Sequence, residues 1–230
     1  MDGTLTVSLT GRSSVLEANF FPPIDLSPNK DNVLGLVELL TFNKIPNIDD
    51  YNNKIYIVEE DDPITILAGS YEIDDIDKYL KTQLSSKKIS VNLKANNNTL
   101  RSTIKCSHQI DFRQRDSIGR LLGFMPQILA PNKLHTSDWP VSILKINCIR
   151  VECNITTGAY LNGEKVHTIH EFFPAVPPGF KIIEIPTQVI YLPIAVKSMN
   201  NIQIRILDQD SNLVNFRGEI ITIRLHIKSI

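Results

Sequence analysis

Oxygen-bearing side chains near the carboxyl end of the chain have the spacing of a calcium-binding loop. The first, third, fifth and twelfth positions of such a loop supply carboxylate and amide oxygens, and here they are occupied by Asp208, Asp210, Asn212 and Glu219. Leu213, however, stands where the sharp turn requires glycine, and the flanking residues alternate as strands rather than as helices. The pattern therefore favours a plain connecting loop, with a calcium site as the alternative.

No other group of residues predicts catalysis or a cofactor. His167 and His170 are three positions apart, so in a strand they point to opposite faces and do not hold one metal ion jointly. The acidic run at residues 59–62 is typical of a solvated turn. The chain also has no Walker A loop, dinucleotide fingerprint or Gly-x-Ser-x-Gly elbow. We therefore predict a protein that is not an enzyme and that needs no cofactor.

The elements around the calcium-like loop have the alternation of half-buried strands. Apolar side chains alternate with polar ones over residues 202–206 and again over residues 221–228. The connection at residues 208–218 contains turn-forming residues. We predict that these two strands pair antiparallel as a hairpin.

The rest of the chain also reads mainly as strands. We predict strands near residues 4–9, 33–42, 54–58, 64–68, 89–93, 100–106, 142–155, 165–173, 180–185 and 189–196. The segment at 33–42 has helix as its alternative because a short Leu-rich run is ambiguous. Helical spacing over residues 73–84, with aspartates in the first turn, predicts a helix, and residues 116–122 predict a second short one.

These elements predict an all-β fold, a single jelly-roll sandwich with inserted loops and one or two short helices. Residues 1–32 are expected to form a first strand and an extended arm, because prolines interrupt any periodicity there. Residues 33–230 are expected to form the elaborated jelly roll. The long connection at residues 126–140 is a candidate subdomain boundary, which leaves two stacked β domains as the alternative.

Composition limits the partners and the compartment. The formal net charge is −1 and the pI is about 6.5, so nucleic acid is not expected as a specific partner. The three cysteines do not form a disulfide framework, which favours a reducing compartment. The amino terminus lacks a secretory signal and no apolar run is long enough to span a bilayer, so we expect a soluble chain that is made in the cytoplasm and not secreted.

The middle of the chain is strongly dipolar. Residues 49–80 contain ten acidic and two basic side chains, whereas residues 81–120 contain nine basic and two acidic ones. Two solvated faces would explain this pattern. Alternatively, the acidic surface of one copy meets the basic surface of the next in a head-to-tail contact that closes a ring. The candidate interface residues are Asp74, Asp75 and Asp77 on one side and Lys87, Lys88 and Lys94 on the other.

Several motifs resemble a known family of capsid proteins. They are VHTIHEFFP (residues 166–174), PPGF (177–180), LVNFRGE (213–219), IRLH (223–226), IGRLLGF (118–124) and GSYEI (69–73). Over about residues 35–228 the chain resembles the minor capsid (penton) protein of Polinton/Maverick elements and adintoviruses. The resemblance implies a jelly-roll subunit of the virion that forms pentamers at the vertices of an icosahedral shell, beside a larger double jelly-roll major capsid protein. The alternative is a β-sandwich module that recognises a glycan or a protein ligand.

Overall fold

The computed structural model describes residues 4–26, 30–143 and 145–230. The chain forms two compact units, the sandwich unit (Met1–Ile45 with Ile146–Ile230) and the inserted unit (Pro46–Lys145). Each unit has its own hydrophobic core. None of the helices in the described ranges has the length and apolar character that a bilayer-crossing segment requires.

The described residues contain eighteen strands, one α-helix and one 3₁₀ turn. The α-helix, α1, spans Ile73–Ser85, and the 3₁₀ turn spans Ile118–Arg120. The strands, in chain order, are β1 (Thr4–Gly11), β2 (Val15–Asp25), β3 (Asn32–Phe42), β4 (Lys54–Ile57), β5 (Ile64–Thr65), β6 (Val91–Asn96), β7 (Arg101–Cys106), β8 (Ile110–Asp111), β9 (Ile128–Leu129), β10 (Leu134–Thr136), β11 (Ile149–Cys153), β12 (Ala159–Leu161), β13 (Glu164–Val166), β14 (Thr168–Phe172), β15 (Lys181–Glu184), β16 (Leu192–Pro193), β17 (Ser198–Leu207) and β18 (Ile221–Ser229).

The sandwich unit is a jelly roll. Its first sheet has the order β1-β18-β3-β15, with β16 also paired to β3, and its second sheet has the order β14-β11-β17-β2. All pairings within the two sheets are antiparallel. Both sheets turn apolar side chains into one shared core. Nine strands divided between two packed antiparallel sheets confirm the predicted all-β jelly-roll class.

The predicted hairpin between the last two long strands is wrong. Strand β17 pairs with β11 and β2 in the second sheet, whereas β18 pairs with β1 and β3 in the first. Residues 208–220 therefore cross from one sheet to the other. The alternation correctly identifies the buried faces, because Ile204 of β17 and Ile223 of β18 both lie in the shared core. Alternation fixes the face that a strand buries but not the strand that lies beside it.

The expected arm is also different in the structure. Residues 15–25 form strand β2, which pairs with β17 and buries Leu16 in the core, instead of an irregular segment. Strand β2 is an edge strand, and it has a bulge in which residues 20–23 lie opposite the single residue Asn200 of β17. Prolines are tolerated at such positions because an edge or a bulge does not require every backbone N–H group to pair. Residues 1–3 and 27–29 of the expected arm lie outside the described residues.

The inserted unit lies between β3 and β11 in the chain. It contains a three-stranded sheet (β10-β7-β6), a four-stranded sheet (β5-β4-β8-β9) and helix α1. The predicted helix is confirmed, since α1 buries the residues that carry its helical spacing, Ile73, Ile76, Leu80 and Leu84. The short helix expected at 116–122 is reduced to the 3₁₀ turn. It is followed by Gly123, which has φ +84° and where a Cβ atom would clash with the Trp139 carbonyl oxygen.

The boundary expected near residues 126–140 lies inside the inserted unit. That segment contains the short strands β9 and β10, and each of them pairs within the unit. The division of the chain into an arm at 1–32 and one folding domain at 33–230 stays a prediction. The strand expected at residues 142–155 begins only at Ile149, and residue 144 within it lies outside the described residues.

Candidate functional site

The four calcium-like residues do not form one site. The Asp208 carboxylate accepts hydrogen bonds of 2.9 Å from the backbone N–H groups of Asp210 and Asn212, which closes the turn at residues 208–212. Glu219 instead forms an ion pair with Lys44, whose ammonium group holds the pKa of that carboxyl below its ordinary value. In the described ranges no three His, Cys, Asp or Glu side chains are arranged to hold a metal ion.

The two histidines have separate partners, and His167 lies between β13 and β14 instead of within a strand. His167 Nδ1 lies 2.6 Å from the Thr156 carbonyl oxygen. His170 Nε2 lies 2.8 Å from Glu184 Oε1, a contact that joins β14 of the second sheet to β15 of the first. The structure therefore places these histidines in structural contacts.

Buried Arg150 organises the loop between β17 and β18. Arg150 is only 3% exposed. Its Nη2 atom donates hydrogen bonds of 2.9 Å to the Asp208 carbonyl oxygen and to Ser211 Oγ. A buried cation requires hydrogen-bond acceptors from the protein because water no longer solvates its charge. The loop that resembles a calcium site is thus held by an internal cation.

The cysteines are free thiols. Cys106 and Cys153 are buried and Cys148 is half-buried. Burial raises the pKa of Cys153 to about 11, which keeps that thiol protonated near neutral pH. Cys153 is part of the core of the sandwich unit, and Cys106 is part of the core of the inserted unit.

Many charges of the dipolar middle are paired inside the inserted unit. The acidic run at residues 59–62 contributes Glu60 to an ion pair with Lys87. Other ion pairs in this unit are Lys145–Asp49, Arg113–Asp111, Lys81–Asp77 and Lys78–Asp75. Some acidic residues of the segment 49–80 therefore form ion pairs with basic residues of the segment 81–120 inside one copy.

The best-connected polar cluster of the inserted unit joins β4 to the segment before the 3₁₀ turn. The Asp116 carboxylate accepts hydrogen bonds of 2.8 Å from Lys54 Nζ and from the Tyr56 hydroxyl. The Lys54 ammonium, followed by the Tyr56 hydroxyl, holds the pKa of Asp116 below its ordinary value. The same contacts raise the pKa of Lys54. These contacts therefore connect strand β4 to the segment that precedes the 3₁₀ turn.

The six candidate interface residues divide into two groups. Asp77 also accepts a 2.8 Å hydrogen bond from the Leu93 backbone N–H, and Asp75 belongs to the capping box of α1. Asp75, Asp77 and Lys87 therefore already form contacts inside the inserted unit. Asp74, Lys88 and Lys94 are exposed and form no ion pair among the described residues. The candidate interface stays a prediction, and these three residues are its available members.

An open groove of about 830 Å³ lies on the inserted unit. Its lining is mainly apolar and includes Leu100, Val141 and Ile143, with Glu72 and Asn96 among the polar lining residues. Apolar floors with a few polar groups are the usual form of ligand sites.

The sandwich unit exposes apolar side chains at its two opposite sides. Strands β1 and β2 end the two sheets on one side, and β14 and β15 end them on the other. Each of these edge strands pairs with one neighbour only within the described part of the chain. A strand edge with open backbone groups is a ready contact surface for another chain.

One side carries a single protruding aromatic residue. Phe21 lies on the bulge of β2 and is 100% exposed, while the neighbouring Phe20 packs against the core. We call Phe21 the knob. Residues 20–23 lie opposite Asn200 alone, and these three extra residues displace this part of β2 from the regular ladder, which exposes the knob.

The opposite side carries several large apolar side chains, which we call the edge patch. Its members and their exposed fractions are Phe173 (47%), Phe180 (63%), Ile183 (58%) and Ile185 (60%). Ile183 lies opposite half-buried Leu40 of β3, so the apolar surface continues onto the next strand. Several exposed apolar side chains beside one pair of edge strands mark a candidate protein contact site.

The sequence contained a signal for the edge patch. Ile182 and Ile183 are adjacent, so strand β15 is apolar on both faces, although only Ile182 reaches the core. A sandwich strand with one wet face should alternate with polar residues, so a strand that is apolar on both faces indicates a second contact. The knob had no comparable signal, because the exposure of Phe21 depends on a bulge set by distant β17.

Comparison with known proteins places the fold. No protein-family model and no curated protein sequence matches the chain. Among solved structures, the chain is similar to the mavirus penton protein, with a TM-score of 0.53 and 14% sequence identity, over 99% of this chain and 100% of that one. The two chains therefore share a penton-like fold across their whole lengths, including the inserted unit.

Proposed function

We propose that this chain is a structural subunit of a virus particle, the minor capsid protein that forms the vertex of an icosahedral shell. The observation that carries the proposal is the likeness to the mavirus penton protein over nearly all of both chains. Exposed apolar surface at both sides of the sandwich unit supports a protein that functions through contacts with other subunits.

The finer features of the proposal follow the motif resemblance. The vertex is a homopentamer, its neighbour is a double jelly-roll major capsid protein, and the particle belongs to a Polinton/Maverick element or an adintovirus. The chain is made in the host cytoplasm, is not secreted and ends in the virion. It carries out no catalysis.

Mass photometry of the purified chain, with negative-stain electron microscopy, tests the proposal. We expect a ring with five times the chain mass of 26.0 kDa. A chain that stays at its single mass over a wide concentration range, with or without the major capsid protein, would contradict it.

A recognition module is the second candidate, and the groove on the inserted unit is the observation that favours it. Carboxylate and amide groups beside an apolar floor suit a sugar or an extended peptide. A single chain that binds a glycan saturably, without forming a ring, would select this function instead.

A further inference from the structure

The knob and the edge patch are both apolar and exposed, and they cannot meet within one copy. The knob lies on β2 and the edge patch adjoins β14 and β15, so they occupy opposite sides of one rigid pair of sheets. Residues 12–14 join β1 directly to β2, and the contact between His170 and Glu184 ties β14 to β15, which fixes these two sides. Each copy therefore offers one projection and one apolar surface to other molecules.

The exposed area fits the apolar centre of a subunit contact. With roughly 200 Å² for each large side chain, the edge patch exposes on the order of 450 Å² and the knob adds about 200 Å². A stable protein contact needs about 800 Å² from each partner, and its centre is more apolar than its rim. The edge patch therefore supplies about half of one partner's share.

Both sides of the sandwich unit also carry charged residues. Strands β1 and β2 contain two carboxylates, Glu17 and Asp25, and no basic residue. Lys181, at the start of β15, is exposed and forms no ion pair among the described residues. Arg12 lies between β1 and β2, and Glu171 and Glu184 lie on β14 and β15, so both sides carry charges of both signs and the apolar surfaces carry the proposal.

We infer that the knob of one copy packs on the edge patch of the next copy, and that this contact between opposite sides of the sandwich unit builds the vertex ring. The inference rests on the proposed function. A contact between two different surfaces of identical subunits is heterologous, so it repeats from copy to copy and closes a ring when the rotation allows. Phe21 is the central side chain of this contact, and Ile183 and Ile185 form its floor.

Two variants, alone and mixed, test this contact. The knob variant is Phe21→Ser, and the patch variant is Ile183→Ser with Ile185→Ser. All three residues are exposed, so the substitutions leave the core unchanged. We expect each variant alone to show the mass of one chain. We expect the mixture to form a two-chain species, because the patch variant keeps an intact knob and the knob variant keeps an intact patch.

A matched control is Leu213→Ser, which removes an exposed apolar side chain from the connection between β17 and β18, far in sequence from both surfaces. It should form the ring of the unaltered chain. If the unaltered chain and both variants all form rings, this inference is wrong and the proposed function stands. If the mixture stays at the single-chain mass, the two surfaces do not meet. An unaltered chain that remains single overturns the proposed function and this inference together.

Discussion

Asp116 shows how single residues set the acid sensitivity of the inserted unit. Its carboxylate is bonded to Lys54 and Tyr56, and both contacts favour the charged form. A carboxyl whose pKa is lower in the folded state than in the unfolded state stabilises the fold above its unfolded pKa. That stabilisation disappears as the pH falls through the folded pKa, so the sensitive range lies below about pH 4.

We predict that Asp116→Asn lowers the free energy of unfolding by roughly 1 kcal/mol at pH 7, because the amide cannot form a charged pair with Lys54. The difference from the unaltered chain should shrink steadily below about pH 4, where Asp116 becomes protonated. Urea unfolding between pH 2.5 and pH 7 measures this difference.

The control for this prediction is Asp50→Asn, at an exposed turn residue. It should change the free energy of unfolding by less than about 0.5 kcal/mol at pH 7. An Asp116→Asn chain whose deficit is the same at pH 2.5 as at pH 7 would show that the cluster does not carry the acid sensitivity.

At the scale of elements, a strap lies over the outer face of the first sheet. Gly35 of β3 lies beneath residues 189–191, and a Cβ atom there would clash with Val189 and lie 2.8 Å from the Ile190 carbonyl oxygen. Tyr191 holds the strap in place, since its hydroxyl lies 2.7 Å from His226 Nδ1 and its ring lies under the Lys228 ammonium. Glycine is required here for close approach of backbone and not for a turn.

We predict that Gly35→Ala displaces the strap and lowers the free energy of unfolding by about 1–3 kcal/mol, the usual cost of overpacking. Chymotrypsin should then cleave after Tyr191 faster than in the unaltered chain, which peptide mapping over time measures.

Val189→Ala is the matched variant, because it removes side-chain volume at the same contact and keeps Gly35. In the double variant it should restore part of the loss, since the Val189 clash is relieved while the Ile190 carbonyl still obstructs the new methyl group. Equal cleavage rates in Gly35→Ala and the unaltered chain would mean that the strap does not depend on this approach.

Element types were largely predictable from local patterns. The spacing of Ile76 and Leu80 identified α1, and alternation identified the buried faces of β17 and β18. The predicted pairing is wrong, since the turn formers at residues 208–218 predict a hairpin, whereas this connection crosses between the two sheets. The calcium-like residues of that loop have separate basic partners, since Arg150 binds the Asp208 carbonyl oxygen and Lys44 pairs with Glu219.

At the scale of the whole molecule, the near-zero net charge results from opposite charges that are partly paired internally. Lys88 and Lys94 remain available for the predicted head-to-tail contact, with Asp74 on the acidic side. Exposed charges across a contact act mainly on association rate and salt dependence.

We predict that Lys88→Glu with Lys94→Glu weakens the ring about tenfold in dissociation constant at low salt and reduces its salt dependence. Mass photometry over a dilution series at 50 mM and 500 mM salt measures both effects. Lys105→Glu with Lys133→Glu is the control, because it makes the same charge change at exposed lysines of the same unit. Identical salt profiles for the two double variants would assign Lys88 and Lys94 to a solvated face.

The sequence by itself determined the fold class, the helix and the faces that the long strands bury, because these depend on the periods of the backbone and on nearest neighbours along the chain. Only the tertiary structure decided which strands lie side by side, that residues 46–145 form a unit with a separate core, and that Phe21 projects from a bulge. Those outcomes depend on contacts between residues far apart in the chain, such as Asn19 with Asn201, and no local pattern records them. A strand edge is exposed when no other strand pairs with it, so exposed edges can be identified only after all strand pairings are known.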